Sequence, residues 1–237
     1  MKSLVAVFCY NEGEKIRRVL EQFPAANERD YDVVVMNDGS TDQSRHHVVE
    51  LGFPVLDHER NLGAGAAIKT VFRYALDKGY DAIVLIAGNG KMRPSEIPRL
   101  LQPIAAGEAD YVQGSRYLEE GVSANMPLFR RVTIPVFTFV VWLFTGFKGT
   151  DVTCGFRAYR LDIIRHPQVD VWQEWLDKYE MEYYVHYKAI KLGFRVCERP
   201  VSMIYPPDGK NYSKIRAFSG WWSMIRPWVF LTLRIKK

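Results

Sequence analysis

Four short apolar runs, each followed by an amphipathic stretch, occupy the first hundred or so positions of this 237-residue chain. The runs lie at residues 4–8, 32–36, 53–56 and 82–86, and helical periodicity follows at 14–22, 42–51, 66–77 and 96–106. A strand covered on both faces has no side left for polar residues. Near-continuous apolar runs separated by amphipathic helices therefore encode an α/β fold, a parallel sheet with helices on both faces. "YVQGSRY" (111–117) reads as a further strand with its exit loop.

After Gly121 the alternation stops. Arg130 and Arg131 precede the most apolar stretch, "TIPVFTFVVWLFTGF" (133–147). It is shorter than the roughly 20 residues that a bilayer-crossing helix needs and contains Pro135 and Gly146, so it reads as non-spanning. Next come "DVTCGFRAYR" (151–160), a long amphipathic helix over 174–192, and a strand within "FRVCERPVSMIY" (194–205). The end, 211–237, is aromatic and basic, with no linker or repeat before it.

Composition closes off several classes. Hydrophobic residues make up 48% of the chain, enough for a core and too many for disorder. The net charge of +5 favours anionic partners such as phosphates or acidic headgroups. That charge is not concentrated and no nucleic-acid motif accompanies it, so no nucleic-acid partner is expected. Cys9, Cys154 and Cys197 are far apart, which argues against a zinc site or a disulfide framework and suits a reducing cytoplasm. The N-terminal apolar run meets acidic residues at once and reads as a strand rather than a signal peptide.

In a parallel sheet the loops at the carboxyl ends of the strands share one edge, and ligands sit there. The loops "CYNEGEK", "MNDGSTDQ" and "IAGNGK" would bring Tyr10, Asn11, Glu12, Asn37 and Asp38 around one cleft. "NDGSTDQS" taken alone is a turn in which Ser40, Thr41 or Asp42 caps the next helix. "GAGAAI" (63–68) begins like a dinucleotide fingerprint. It follows the third strand rather than the first, and Ile68 stands where the last small residue belongs. The first turn instead holds Glu12 and Glu14, which repel pyrophosphate, so no NAD binding is expected.

The ordered set "YNEGEKI" (10–16), "NDGSTDQS" (37–44), "NLGAGAA" (61–67), "GSRY" (114–117), "DVTCGFRAYR", "ERPVSMIY" (198–205) and "SK" (213–214) resembles family 2 glycosyltransferases. Its layout is most similar to dolichol-phosphate mannosyltransferase and other polyprenyl-phosphate glycosyltransferases. The resemblance implies a GT-A, Rossmann-like, mostly parallel sheet over 1–210, with a nucleotide-sugar half to about 120 and an acceptor half after it. Residues 211–237 would add a C-terminal amphipathic segment. The implied reaction moves a sugar, with inversion, from a UDP-, GDP- or dTDP-sugar to a polyprenyl phosphate. Carried over residue by residue, Phe8, Tyr10, Glu12, Asn37, Asp38, Ala87 and Gly88 belong to the donor. Arg116 faces donor phosphate or acceptor. Ser213 and Lys214 resemble the segment that closes over the site near the acceptor phosphate. Apart from the resemblance, the pair Arg130 and Arg131 before the apolar stretch is expected to grip that phosphate.

One loop departs from the family. In "VLIAGNGKMRP" (84–94) the usual metal-binding Asp-x-Asp becomes Ala87 and Asn89, and the following glutamine becomes Lys91. Magnesium wants hard, preferably anionic oxygens, and a single neutral amide beside an ammonium holds it poorly. The leaving diphosphate still needs its developing charge stabilised. A cation about 4 Å away supplies ~4 kcal/mol at an effective dielectric of 20. Lys91 is therefore expected to provide the charge and Asn89 a hydrogen bond, with weak or no dependence on Mg or Mn and no metal ligands.

A lipid phosphate is already anionic and needs no strong base. Glu180 or Glu182 would serve only if the acceptor were a hydroxyl. Two further readings stay open: a glycosyltransferase acting on a non-lipid hydroxyl, and a degenerate nucleotide-sugar-binding regulatory partner in which Lys91 is a solvated turn residue. Trp221, Trp222, Arg226, Trp228, Arg234, Lys236 and Lys237 combine as interfacial helices do, or else cover the sheet. The expected location is cytoplasmic and peripheral, on the inner face of the membrane.

Overall fold

The structure, a computed structural model, describes residues 1–207 and 219–236. Its strands are β1 (Ser3–Cys9), β2 (Tyr31–Asn37), β3 (Val55–Asp57), β4 (Ala82–Ala87), β5 (Tyr111–Ser115), β6 (Arg157–Arg160) and β7 (Val196–Pro200). They form one sheet in the order β3-β2-β1-β4-β6-β5-β7. All pairings are parallel except those of β6, which runs against both β4 and β5. Helices are α1 (Glu14–Leu20), α2 (Ser44–Glu50), α3 (Ala64–Asp77), α4 (Ile97–Ala105), α5 (Leu128–Thr145), α6 (Asp162–Arg165), α7 (Glu180–Lys191) and α8 (Ser219–Thr232).

The apolar runs become strands because both faces of each are buried. Leu4 and Ala6 of β1 pack in one layer with α3, α5, α7 and α8. Val5 and Val7 pack in the other with α1, α2 and α4. Register then fixes the site: Phe8 sits between Met36 and Ala87, so β1, β2 and β4 end side by side.

Three features differ from expectation. The third strand is shorter than expected and begins at Val55, after Pro54. β6 is antiparallel. The long helix over 174–192 is broken into a 3₁₀ turn, Glu174–Leu176, and α7. The break has a physical cause, since the first amides of a helix need acceptors from elsewhere. The Asp177 carbonyl leaves any helical pattern to accept the Ala66 amide of α3 at 3.0 Å.

Gly65 makes this approach possible: a Cβ there would lie 1.9 Å from the Leu176 carbonyl oxygen and 2.5 Å from that of Lys178. The glycines that mimic a dinucleotide fingerprint thus serve helix packing. Overpacking against backbone cannot relax through a rotamer, so Gly65→Ala should cost at least ~3 kcal/mol in chemical denaturation. A loss below about 1 kcal/mol would show that the α3–α7 contact is looser than described.

The apolar stretch is longer than its sequence reading. α5 runs 18 residues, which by length and composition alone is enough to cross a membrane. Ile134, Phe137, Thr138 and Val141 on one side are buried. Leu128, Val132, Val136, Phe139 and Leu143 form an exposed stripe on the other. Helix α8 packs on α7, with the buried Trp228 ring 6.1 Å from Tyr183 and 6.0 Å from Tyr187, while Trp222, Leu233 and Ile235 stay exposed.

Candidate active site

The exit loops of β1, β2 and β4 open into a cleft of about 1020 Å³. Two of these loops are tied together by side chains. Asn11, in the left-handed region at φ 49°, receives the Thr41 amide on its Oδ1 at 2.8 Å. The Gly13 amide donates to Asp42 Oδ2 at 2.9 Å, and Asp42 Oδ1 accepts the Ser44 amide that opens α2. The Glu12 amide donates to Ser44 Oγ at 2.8 Å. Asp42 is thus the residue of the turn that satisfies the helix start, and it staples the first loop as well.

Of the residues assigned to the donor, Phe8, Tyr10, Glu12, Asp38 and Ala87 line the cleft. Asn37 and Gly88 do not. The Asn37 amide nitrogen donates to Asp57 at 2.8 Å, and its oxygen accepts the Ser40 amide. Gly88 is a packing residue whose amide donates to the Phe8 carbonyl, and a Cβ there would come within 2.5 Å of Ile16. Asp38 is held internally. Its carboxylate accepts the backbone amides of Leu62 and Gly63 at 2.9 and 3.0 Å, Asn61 Nδ2 at 2.9 Å, and meets His58 at 2.7 Å. It therefore shapes the wall that the β3–α3 loop presents to the cleft.

The divergent loop forms the floor. Gly90 adopts φ 76°, and Asn89 Oδ1 accepts the Lys91 amide at 3.1 Å, a local turn of the kind asparagine favours. The Lys91 carbonyl accepts the Ile204 amide at 2.8 Å, anchoring the loop to the segment after β7. The lysine side chain is buried and lines the cleft. Among the described residues its ammonium makes no hydrogen bond or ion pair. Burial, reinforced by the nearby Arg130 charge and partly offset by Glu12, lowers its pKa to about 8. This donor set does not fit a divalent ion. Ala87 offers no ligand, the Asn89 oxygen is engaged, and an ammonium stands where an anion is needed.

Arg116 also lines the cleft, but its guanidinium is engaged. It forms a fork with Asp151, Nε to Oδ2 at 2.6 Å and Nη2 to Oδ1 at 2.8 Å, and Nη1 donates to the Tyr205 hydroxyl at 2.7 Å. Burial opposes the charge, and the Asp151 carboxylate outweighs it, so Arg116 is held above the ordinary arginine range. Asp151 was not anticipated. It lies 35 residues from its partner, and no local period signals such a pair.

Arg130 lines the cleft, with Phe129, Thr133 and Ile134 of the same helix beside it. Arg131 does not: Phe129, Arg130, Thr133 and Ile134 share one face of the helix, and a further step of about 100° carries Arg131 beyond its edge. Ser213 and Lys214 lie outside the described residues. Of the two glutamates, Glu182 lines the cleft, whereas Glu180 is fully buried and pairs with Arg226 of α8. Burial raises the Glu180 pKa against the pull of Arg226. Ser223 and Met224 bring α8 to the cleft's far wall.

A crevice at the carboxyl edge of a mostly parallel sheet is where open α/β folds bind ligands, and the fold here is that of GT-A glycosyltransferases. The family model for glycosyl transferase family 2 matches residues 4–166. The chain belongs to glycosyl transferase family 2 and is a glycosyltransferase. It is 29% identical over 216 residues to an undecaprenyl-phosphate mannosyltransferase of Micrococcus luteus, covering 89% of this chain and 87% of that one. It is likewise 29% identical over 207 residues to polyprenol monophosphomannose synthase of Mycolicibacterium smegmatis, covering 85% and 77%. Among solved structures it is similar to glucosyl-3-phosphoglycerate synthase of Mycobacterium tuberculosis, crystallised with Mn²⁺, UDP and glucosyl-3-phosphoglycerate. That match has TM-score 0.67 and 16% identity, and covers 100% of this chain and 81% of that one.

Proposed function

We propose that this glycosyltransferase transfers a sugar from a nucleotide-sugar donor to a polyprenyl phosphate at a membrane surface, with Lys91 in place of a divalent ion. The observation that carries the reading is the buried Lys91 ammonium, without a hydrogen bond or ion pair among the described residues, in the loop where the family places its metal carboxylates. An uncompensated buried cation is costly unless an anionic ligand arrives to use it. The acceptor phosphate oxygen attacks the anomeric carbon as the bond to the diphosphate oxygen breaks. Configuration inverts in that single displacement. Lys91 stabilises the charge that collects on the leaving diphosphate. Arg130 holds the incoming phosphate, already anionic, so Glu182 need not act as base. The donor binds against the β1 and β2 exit loops.

The reaction itself is the first test. Purified protein, polyprenyl phosphate in detergent and labelled UDP-, GDP- or dTDP-sugars should yield a lipid-linked product in EDTA. No product with any donor, with or without Mg²⁺, would refute the reading. Product formed only with the metal would refute the lysine's part in it.

The exposed stripe of α5 lies on the helix whose other residues line the cleft, so a bilayer under that stripe would present lipid phosphates beside Arg130. We place the protein peripherally on the cytoplasmic face. Each buried valine or leucine contributes about 1.5–3 kcal/mol to such insertion. Val136→Asp with Leu143→Asp should therefore cut flotation with anionic liposomes on the order of a hundredfold while leaving the melting temperature unchanged. Undiminished flotation would shift the anchor to the exposed side chains at the end of α8.

A further inference from the structure

Tyr205 stands where three parts of the cleft meet. Its ring centroid is 5.3 Å from Lys91 Nζ and 5.7 Å from the Arg130 guanidinium carbon, both within the reach of a cation–π contact. Its hydroxyl accepts from Arg116 at 2.7 Å and lies 3.2 Å from Met203 Sδ. Its backbone is equally fixed. The Tyr205 amide donates to the Ala124 carbonyl at 2.9 Å, and its carbonyl accepts Asn125 Nδ2 at 3.1 Å. One residue earlier, the Ile204 amide holds the Lys91 carbonyl. Tyr205 is 5% exposed, so its ring is shielded from bulk water, which strengthens its pull on a cation.

Lys91 and Arg130 repel each other, and among the described residues neither has a carboxylate within ion-pair distance. Glu12 acts on Lys91 from the β1 exit loop but is bridged to Lys15 at 3.5 Å. Asp151 belongs to Arg116. A carboxylate between the two cations would hold them together and also neutralise them, leaving nothing for a substrate anion. An aromatic face attracts cations without cancelling their charge.

We propose that Tyr205 is a positioning residue whose ring gathers Lys91 and Arg130 in their charged, anion-ready state and so sets the spacing between the leaving diphosphate and the incoming phosphate. The pairing of each cation with its phosphate rests on the proposed function, while the gathering of two cations by one ring does not. The bonds made and broken are those of the transfer itself, and Tyr205 takes no proton.

The test separates ring electrostatics from ring shape. Phenylalanine, then mono-, di- and trifluorophenylalanine, is placed at position 205 in the full chain. Fluorine drains the negative face of the ring while barely changing its size. Calorimetric binding of inorganic pyrophosphate is expected to weaken stepwise along the series, about threefold or more from Phe to trifluoro-Phe, with the melting temperature unchanged. The transfer rate, kcat, should fall in the same order with the donor KM within about threefold. Tyr205→Leu should lower kcat further than Tyr205→Phe. A pyrophosphate affinity that is flat across the fluorinated series overturns the proposal, because a ring that only fills space would behave that way. Graded pyrophosphate binding in a protein that transfers no sugar supports the gathering of the cations and refutes the proposed function instead.

Discussion

Lys91→Ala is expected to lower transfer on the order of a thousandfold, the scale of losing one charge-stabilising group from a dry site. EDTA should leave the wild-type rate unchanged. The same lysine sets a pH dependence. In the free enzyme its pKa stands at about 8, lowered chiefly by burial, so kcat/KM should fall about tenfold per pH unit above that value. A bound diphosphate favours the charged form, so the kcat limb should lie at higher pH.

Stability should move the other way. Lys91 is 8% exposed, and its folded pKa is below the ordinary 10.5. Between pH 8 and 10.5 the unfolded chain therefore holds a proton that the fold does not, and stability should rise with pH across that window. Below it the buried charge costs up to ~3 kcal/mol. Lys91→Met should then raise the melting temperature at pH 7 while abolishing turnover. A variant that is both inactive and destabilised would mean that the lysine holds the loop together rather than serving the substrate. Activity restored to Lys91→Ala by Mg²⁺ would return the loop to the family's ordinary chemistry.

Asp151→Asn should produce the largest loss of stability. The substitution leaves the Arg116 guanidinium, 3% exposed, without its counter-charge. Breaking a buried pair from one side typically costs about 3–5 kcal/mol. For a chain of this length that is a drop of roughly 10 °C in melting temperature. The paired change Arg116→Met with Asp151→Leu removes both charges and should recover most of the loss, since the price of such a pair lies in an orphaned ion. A single variant that melts within about 2 °C of wild type would mean that water reaches Arg116.

What was legible in the chain followed from periodicity. β1, β2 and β4 are apolar on both faces, and their order along the chain sufficed to bring Tyr10, Glu12, Asp38 and Lys91 to one edge. What was hidden is non-local. β6, "RAYR", begins with a fully buried arginine whose guanidinium is spent on the Cys154 and Val152 carbonyls, the Glu182 carbonyl and the Tyr111 hydroxyl. Hydropathy would put such a segment on the surface, so neither its burial nor its direction showed. The interruption before α7 was invisible because its cause, the open end of α3, lies over a hundred residues earlier. Asn37 and Gly88 carry family positions without lining the cleft, since a motif records neighbours in sequence and not which way a side chain turns. Tyr205 gave no signal apart from its place in a quoted motif, because a tyrosine whose ring meets two cations and whose hydroxyl meets a third looks in sequence like any core tyrosine.

The reversed strand has one more consequence. Gln113 pairs with Arg157, so the polypeptide departs the sheet just after β5 and rejoins it one strand over, at the same rim. Everything between is an excursion, and the entropy of closing an excursion grows only logarithmically with its length. Under the proposed function, descendants of such a scaffold can lengthen, trim or rewrite that excursion, and with it their choice of sugar recipient, while β1, β2 and β4 keep their alignment. Diversity of product can then accumulate on one side of the molecule at little cost to the other.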